Sequence, residues 1–223
     1  MRKMILGLVL ATMAATPALA VGDPTNDFLA TYTGAHNPGL DIISAGVSFD
    51  GSSFTLNATT NGAIGLPGSL YAFGINRGAG TARLASGSPS IGGSILWDAV
   101  AILFPSGTAR VVTFPTAGPP TLTTLPGVVT VAGNTISGSF AASLLPSTGF
   151  ASPADYTFTL WSRLRVTPAA DGTNAEIADF APIGQSSAVP EPSSWAMMIV
   201  SFGAVGCGLR RRRGSPARIS YMR

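Results

Sequence analysis

Three oxygen-bearing side chains near the start of the chain, Asp23, Asn26 and Asp27, could serve as hard ligands for calcium, with Asp41 and Asp50 as further donors. Their spacing matches no EF-hand loop. Asp and Asn also favour turns on their own account, which is the simpler reading. No cofactor other than calcium is expected. A second set is aromatic: Tyr32, Tyr71, Trp97, Tyr156 and Trp161 could stack flat faces on the apolar ring hydrogens of sugars. Of these, Trp161 shares one face of a strand-like run with Arg163 and Arg165, which makes these three the candidate ligand face and predicts an exposed indole. The competing reading is that aromatics on strands face a core.

Catalytic constellations are harder to assemble. Asp98, Asp155 and Glu176 are too scattered along the chain to define a glycosidase pair. His36 is the one histidine and, beside Asn37, Pro38 and Gly39, reads as a loop residue. A single imidazole cannot build a multi-histidine zinc site, and a Ser-His-Asp device would have no spare base. Cys207 is the one cysteine, which excludes an intramolecular disulfide and a thiolate cluster. The glycine-rich stretch from Gly74 through Gly78 to Gly80 lacks the Lys-Ser/Thr of a phosphate loop and reads as a turn. Arg77 and Arg83 flank it as solvated loop arginines, an anionic polymer being their alternative partner. No catalytic residue is assigned.

The elements that position these residues follow from composition and pattern. The 223-residue chain is 46% hydrophobic but only 10% charged, against about a quarter charged in an ordinary soluble domain. Its net charge of +3 would suggest nucleic acid if it were spread evenly. It is not: Arg2, Lys3, Arg210, Arg211, Arg212, Arg213, Arg218 and Arg223 hold eight of the 13 basic residues. Residues 21–189 keep five Arg, no Lys and nine acidic residues, so the middle is mildly acidic and no nucleic-acid partner is expected.

Both ends read as address signals. Arg2 and Lys3 precede a 12-residue apolar run, Met4 to Ala15, and Pro17 breaks the helix ahead of Ala18 and Ala20. Small side chains at those two positions suit a signal peptidase, predicting cleavage before Val21. At the other end come Pro190, Glu191 and Pro192, then an uncharged stretch from Trp195 to Leu209, then Arg210 to Arg213. Proline biases its predecessor away from helix, so the Pro-Glu-Pro element is expected to be extended. The 15 uncharged residues would make a helix of roughly 22 Å, short for a bilayer core of about 30 Å. Trp195 at one interface and the arginines at the other partly offset the mismatch, and the positive-inside rule keeps the arginines cytoplasmic as a stop-transfer signal.

Pro190-Glu191-Pro192, followed by Trp195-Ala196 at the mouth of an apolar helix and an arginine cluster, resembles the PEP-CTERM sorting signal in its Trp-Ala variant. The resemblance covers about the last thirty-five residues. It implies a Gram-negative source and recognition by an exosortase, a membrane cysteine transpeptidase that cuts near the Pro-Glu-Pro element. The nucleophile is then the partner's, not Cys207. The expected organisation is a signal peptide over 1–20, a mature β domain over 21–184, a linker over 185–194, a transmembrane helix over 195–209 and a basic cytoplasmic tail over 210–223.

Residues 28–180 read as β structure. Val47 to Leu56 around Asp50-Gly51, Ile95 to Phe114 around Pro105-Ser106-Gly107, and Val128 to Phe140 around Gly133-Asn134 each predict a hairpin. Tyr156, Phe158, Leu160, Leu164 and Val166 mark one face of a long strand. Roughly ten short strands between Gly, Pro and Ser turns indicate an all-β fold, an antiparallel β-sandwich or jelly-roll-like domain. Three functions fit: a non-catalytic structural or adhesive protein of the cell surface or extracellular matrix, a module binding exopolysaccharide, or a carboxylate-dependent hydrolase. The second needs an exposed aromatic row, and the third two acidic groups converging in a cleft. Expected partners are signal peptidase, exosortase, the inner membrane before processing, and exopolysaccharide.

Overall fold

The structure is a computed structural model and describes residues 21–165, 173–185 and 187–188. Two sheets face each other. The first runs β1 (Val21–Gly22), β2 (Ile42–Phe49), β3 (Ser53–Thr60), β9 (Thr135–Ala141), β8 (Val129–Ala132), with β12 (Ser187–Ala188) also on β2. The second runs β11 (Ile177–Gln185), β10 (Thr157–Leu164), β4 (Ser69–Asn76), β5 (Ala99–Leu103), β6 (Thr108–Thr113), β7 (Thr121–Pro126). Pairing is antiparallel throughout except for the short β12–β2 contact. The helical residues described are four single 3-10 turns. The expected antiparallel sandwich is what forms.

Alternation sets the inner faces. In β3, Phe54, Leu56, Ala58 and Thr60 are buried while the residues between them are half-exposed. These side chains meet Tyr71, Phe73 and Ile75 of β4 and Phe158 and Leu160 of β10 in one core between the sheets. Local chemistry places the reversals: Asp50 Oδ1 accepts from the backbone N–H of Ser52 at 2.8 Å and of Ser53 at 2.7 Å, closing the β2–β3 turn. Gly133 has φ +62° in the two-residue turn that sets Ala132 opposite Thr135.

The second expected hairpin begins later than its apolar run. Trp97 makes only an isolated bridge to Thr81, and Asp98 turns inward. The stretch read as a glycine-rich turn is half strand: Gly74, Ile75 and Asn76 belong to β4, and the chain reverses only after Arg77. β4 lies in the middle of its sheet and is buried on both faces, so it shows no alternation to read. Pro182 sits in β11, an edge strand, where proline is tolerated, and the register shifts near it.

Arg77 is no solvated loop residue. It is 2% exposed and Asp98 1%. Its Nε lies 3.1 Å from Asp98 Oδ1, Nη1 donates to the Pro146 carbonyl at 2.9 Å, and Nη2 donates to the Asp98 carbonyl at 3.2 Å. The reason is geometric: the residue follows a fully buried strand, so its side chain leaves β4 inside the protein and must find acceptors there.

Candidate functional site

The outer face of the second sheet carries its own apolar layer. Register sets Trp161 of β10 opposite Ala72 of β4, Ala72 opposite Ile102 of β5, and Ile102 opposite Arg110 of β6. One row thus crosses four strands, about 4.8 Å apart, from an indole to a guanidinium. The neighbouring rows add Thr159, Gly74 and Val100 on one side, Arg163 and Leu70 on the other. Gly74 is decisive for the shape. A Cβ there would stand 2.8 Å from the Trp161 ring and 2.8 Å from Thr159 Cγ2, so the absent side chain lets the indole lie down on the sheet.

Phe180 stacks on Trp161 at 6.1 Å, with ring planes 2° apart, and Trp97 packs against it at 5.8 Å. Trp161 therefore occupies the expected outer face, but it is covered, at 6% exposure. Nor do the other aromatic candidates form a platform. Tyr71 and Tyr156 are wholly buried between the sheets and donate to the carbonyls of Gly39 and Leu145, while Tyr32 packs in a separate small cluster. Trp97 is 8% exposed. The two tryptophans are the floor of a groove rather than an exposed row.

That groove encloses about 1030 Å³. Leu70, Ala72, Val100, Ile102 and Trp161 make its base, and Arg83, Arg110, Arg163 and Arg165 stand around it. Arg83 lies over Phe114 at 4.2 Å and over Trp97 at 5.5 Å; Arg110 lies over Phe104 at 5.2 Å. Arg163 is held by Glu176, with Nε donating to Oε2 at 2.8 Å and Nη2 making a second bond to the same oxygen. No acidic side chain lines the groove among the described residues. The candidate face of Trp161, Arg163 and Arg165 is one flank of it. Arg83 and Arg110, from a loop and from β6, complete the ring.

The carboxylates considered for hydrolysis have structural employment. Asp98 binds Arg77, Glu176 binds Arg163, and Asp155 closes a capping box with Ser152 at the 3-10 turn Pro153–Asp155. His36 is exposed and stacks on Phe28 at 4.4 Å.

Elsewhere acids do come together. Carboxylate oxygens of Asp23, Asp27 and Asp179 lie within 4.8 Å of one another. Three such groups could hold one hard cation such as calcium. Two of the three come from the expected set. Asp179, far away in sequence on β11, is the addition that only folding reveals. Asn26 does not join them: at φ +61° it turns its backbone N–H to both oxygens of Asp41, at 3.0 and 2.9 Å. Asp41 is further engaged by Asn61, and Asp50 is spent on its turn.

Burial first, then the charges of Asp27 and Asp41, push the Asp23 carboxyl up to about 6. Burial likewise raises Asp179 to about 7, opposed by the N–H groups of Ile42 and Phe180 and assisted by Asp27 and Asp23. Raised carboxyl values mean that the folded state holds more protons than the unfolded one between about pH 4 and pH 7, so stability falls as pH rises through that window. Asp27→Asn removes one repelling charge from an exposed position. It is expected to raise the melting temperature by about 2 °C at pH 7.5 and to leave it unchanged at pH 4, as followed by circular dichroism. An equal shift at both values would mean that the charges do not interact.

The C-terminal segment matches a known family model. Residues 188–213 fit the PEP-CTERM protein-sorting motif. The chain carries a PEP-CTERM sorting motif. The match takes in Pro190, Glu191, Pro192, Trp195, Ala196 and the four arginines Arg210 to Arg213, the residues from which the resemblance was drawn. A PEP-CTERM protein is exported, begins as a membrane-anchored precursor and is an exosortase substrate. No curated protein and no solved structure matches the chain. The signal-peptide residues Ala18 and Ala20, the Pro-Glu-Pro element, the apolar span and the basic tail all lie outside the described residues. Among the described residues no helix is long and apolar enough to cross a membrane.

Proposed function

We propose that the mature β domain of this PEP-CTERM protein is a non-catalytic adhesive module of the cell surface or extracellular matrix, held there by polysaccharide bound in the arginine-ringed groove. One observation carries this reading: four of the five arginines in residues 21–189 surround a single apolar-floored groove in a domain whose net charge is negative. Random placement of surface cations would scatter them. The fifth, Arg77, is consumed in the interior. A floor with apolar and aromatic edges suits the carbon-bound hydrogens of sugar rings, and guanidinium groups suit their oxygens. The hydrolase alternative is weakened because the acids it would use are bound elsewhere and none lines the groove among the described residues.

The test is retention. Exported protein carrying Arg83→Glu and Arg110→Glu is compared with wild type for the fraction remaining with cells and matrix after washing. The double variant is expected to be released about 10-fold more readily, while folding, read by circular dichroism, is unchanged. Equal retention of the two proteins would remove the groove from any adhesive role. Liberation of reducing sugar ends by wild type would return the hydrolase reading.

A further inference from the structure

We propose that the groove selects acidic sugars, carboxylate-bearing residues of uronate type, over neutral ones, with Arg83 and Arg110 as the groups that read the charge. The inference rests on the polysaccharide-binding reading above and names its ligand class. The four arginines differ in what they already bind. Arg163 gives two donors to Glu176, so its charge is largely answered within the protein. Arg83, Arg110 and Arg165 make no ion pair among the described residues. Arg110 and Arg165 are exposed and Arg83 is half-buried.

Arg83 and Arg110 are also positioned. Each guanidinium lies over an aromatic face, Phe114 and Phe104 respectively, contacts that restrain a long side chain without using its in-plane donors. Planar donors held in this way suit a carboxylate, which can accept two parallel bonds from one guanidinium.

Two further observations show that the groove is lined by donors without acceptors. Trp97 lines the groove at 8% exposure, and its indole N–H has no acceptor. The Nε–H of Arg83, whose guanidinium carbon stands 5.5 Å from that indole ring, has none either. Buried donors without acceptors are uncommon in a finished interior. Charge points the same way: a neutral sugar would leave three guanidinium groups without an ion-pair partner among the described residues, whereas a chain of carboxylates answers them in succession. A polysaccharide is favoured over an acidic lipid because the apolar base is a strip crossing four strands between arginines, and the groove above it is half open rather than closed around an acyl chain.

The experiment is a calorimetric titration of the full-length protein, in a neutral detergent, with an oligogalacturonate and with the same oligosaccharide after chemical reduction of its carboxyl groups. Anionic phosphatidylglycerol vesicles form a third arm, with detergent removed by reconstitution. The acidic oligosaccharide is expected to bind at least about 10-fold more tightly than the reduced one, and raised salt should narrow the gap. Arg110→Gln and Arg83→Gln should each abolish most of that preference, lowering the affinity for the acidic form far more than that for the reduced form. Since Arg83 is half-buried and packs on both Phe114 and Trp97, the exposed Arg110 is the decisive variant. Equal binding of acidic and reduced forms would overturn the proposal yet leave the polysaccharide reading in place. Binding of neither would remove both. Tighter binding of the vesicles than of the oligogalacturonate, weakened by Arg110→Gln, would make the occupant of the groove a lipid and overturn the proposal.

Discussion

Asp98→Ala is expected to destabilise the domain by about 3–5 kcal/mol, because it leaves a guanidinium charge in the interior with no counter-charge. Arg77 is 2% exposed and Asp98 1%, so water cannot take over the lost contact. The pair also fastens a loop. The Arg77 carbonyl accepts from the N–H groups of Thr148 and Phe150, each at 3.1 Å, its Nη1 reaches Pro146, and the Thr148 hydroxyl donates to Asp98 Oδ2. Urea unfolding should show a lower midpoint with an unchanged slope. The double variant Arg77→Met with Asp98→Leu should regain much of the loss, since two apolar groups of similar bulk leave no stranded charge. A single variant costing under about 1 kcal/mol would show that the charge reaches water after all.

The second large effect concerns export. Pro190, Glu191 and Pro192 changed together to alanine should leave the protein full-length and membrane-bound, while wild type loses its tail from about Pro190 onward. The apolar stretch and the arginines are untouched by the change, so a plain anchor would be indifferent to it. An exosortase substrate loses two prolines, with the backbone restriction proper to that residue, and the one carboxylate between them. Intact-mass measurement of protein from cells and from medium reads the outcome directly. Equal processing of the two forms would reduce the element to a linker.

Which features were legible in advance follows from the range over which each is encoded. Hairpins could be read because a hairpin is local: Asp50 with Gly51, and Gly133 with Asn134, stand beside the alternating residues they reverse. β4 was hidden for the opposite reason. As a central strand it is covered on both faces, so Leu70 and Ala72 are as buried as Tyr71 and Phe73, and no period of two survives. β7 escaped for want of a buried face, its threonines and Leu122 being exposed. Trp161 takes the expected face but not the expected exposure. Alternation says which way a side chain leaves the sheet and is silent about what lies on top of it, here Phe180, Trp97 and the space left by Gly74.

By itself the chain's order of residues determined its address and its fold class. A sorting signal is a short run of consecutive residues, and a sheet propensity is summed over neighbours, so both are written in contiguous residues. Tertiary structure alone decided where the charges stand. Arg77 and Arg83 are six positions apart, yet one is sealed against Asp98 and the other opens onto the groove. Asp179 meets Asp23 and Asp27 across more than half the chain, and Arg110 joins Trp161 through the register of four strands. Coulombic and packing interactions act through space over a few ångström, and only the folded sheets bring such residues within that distance.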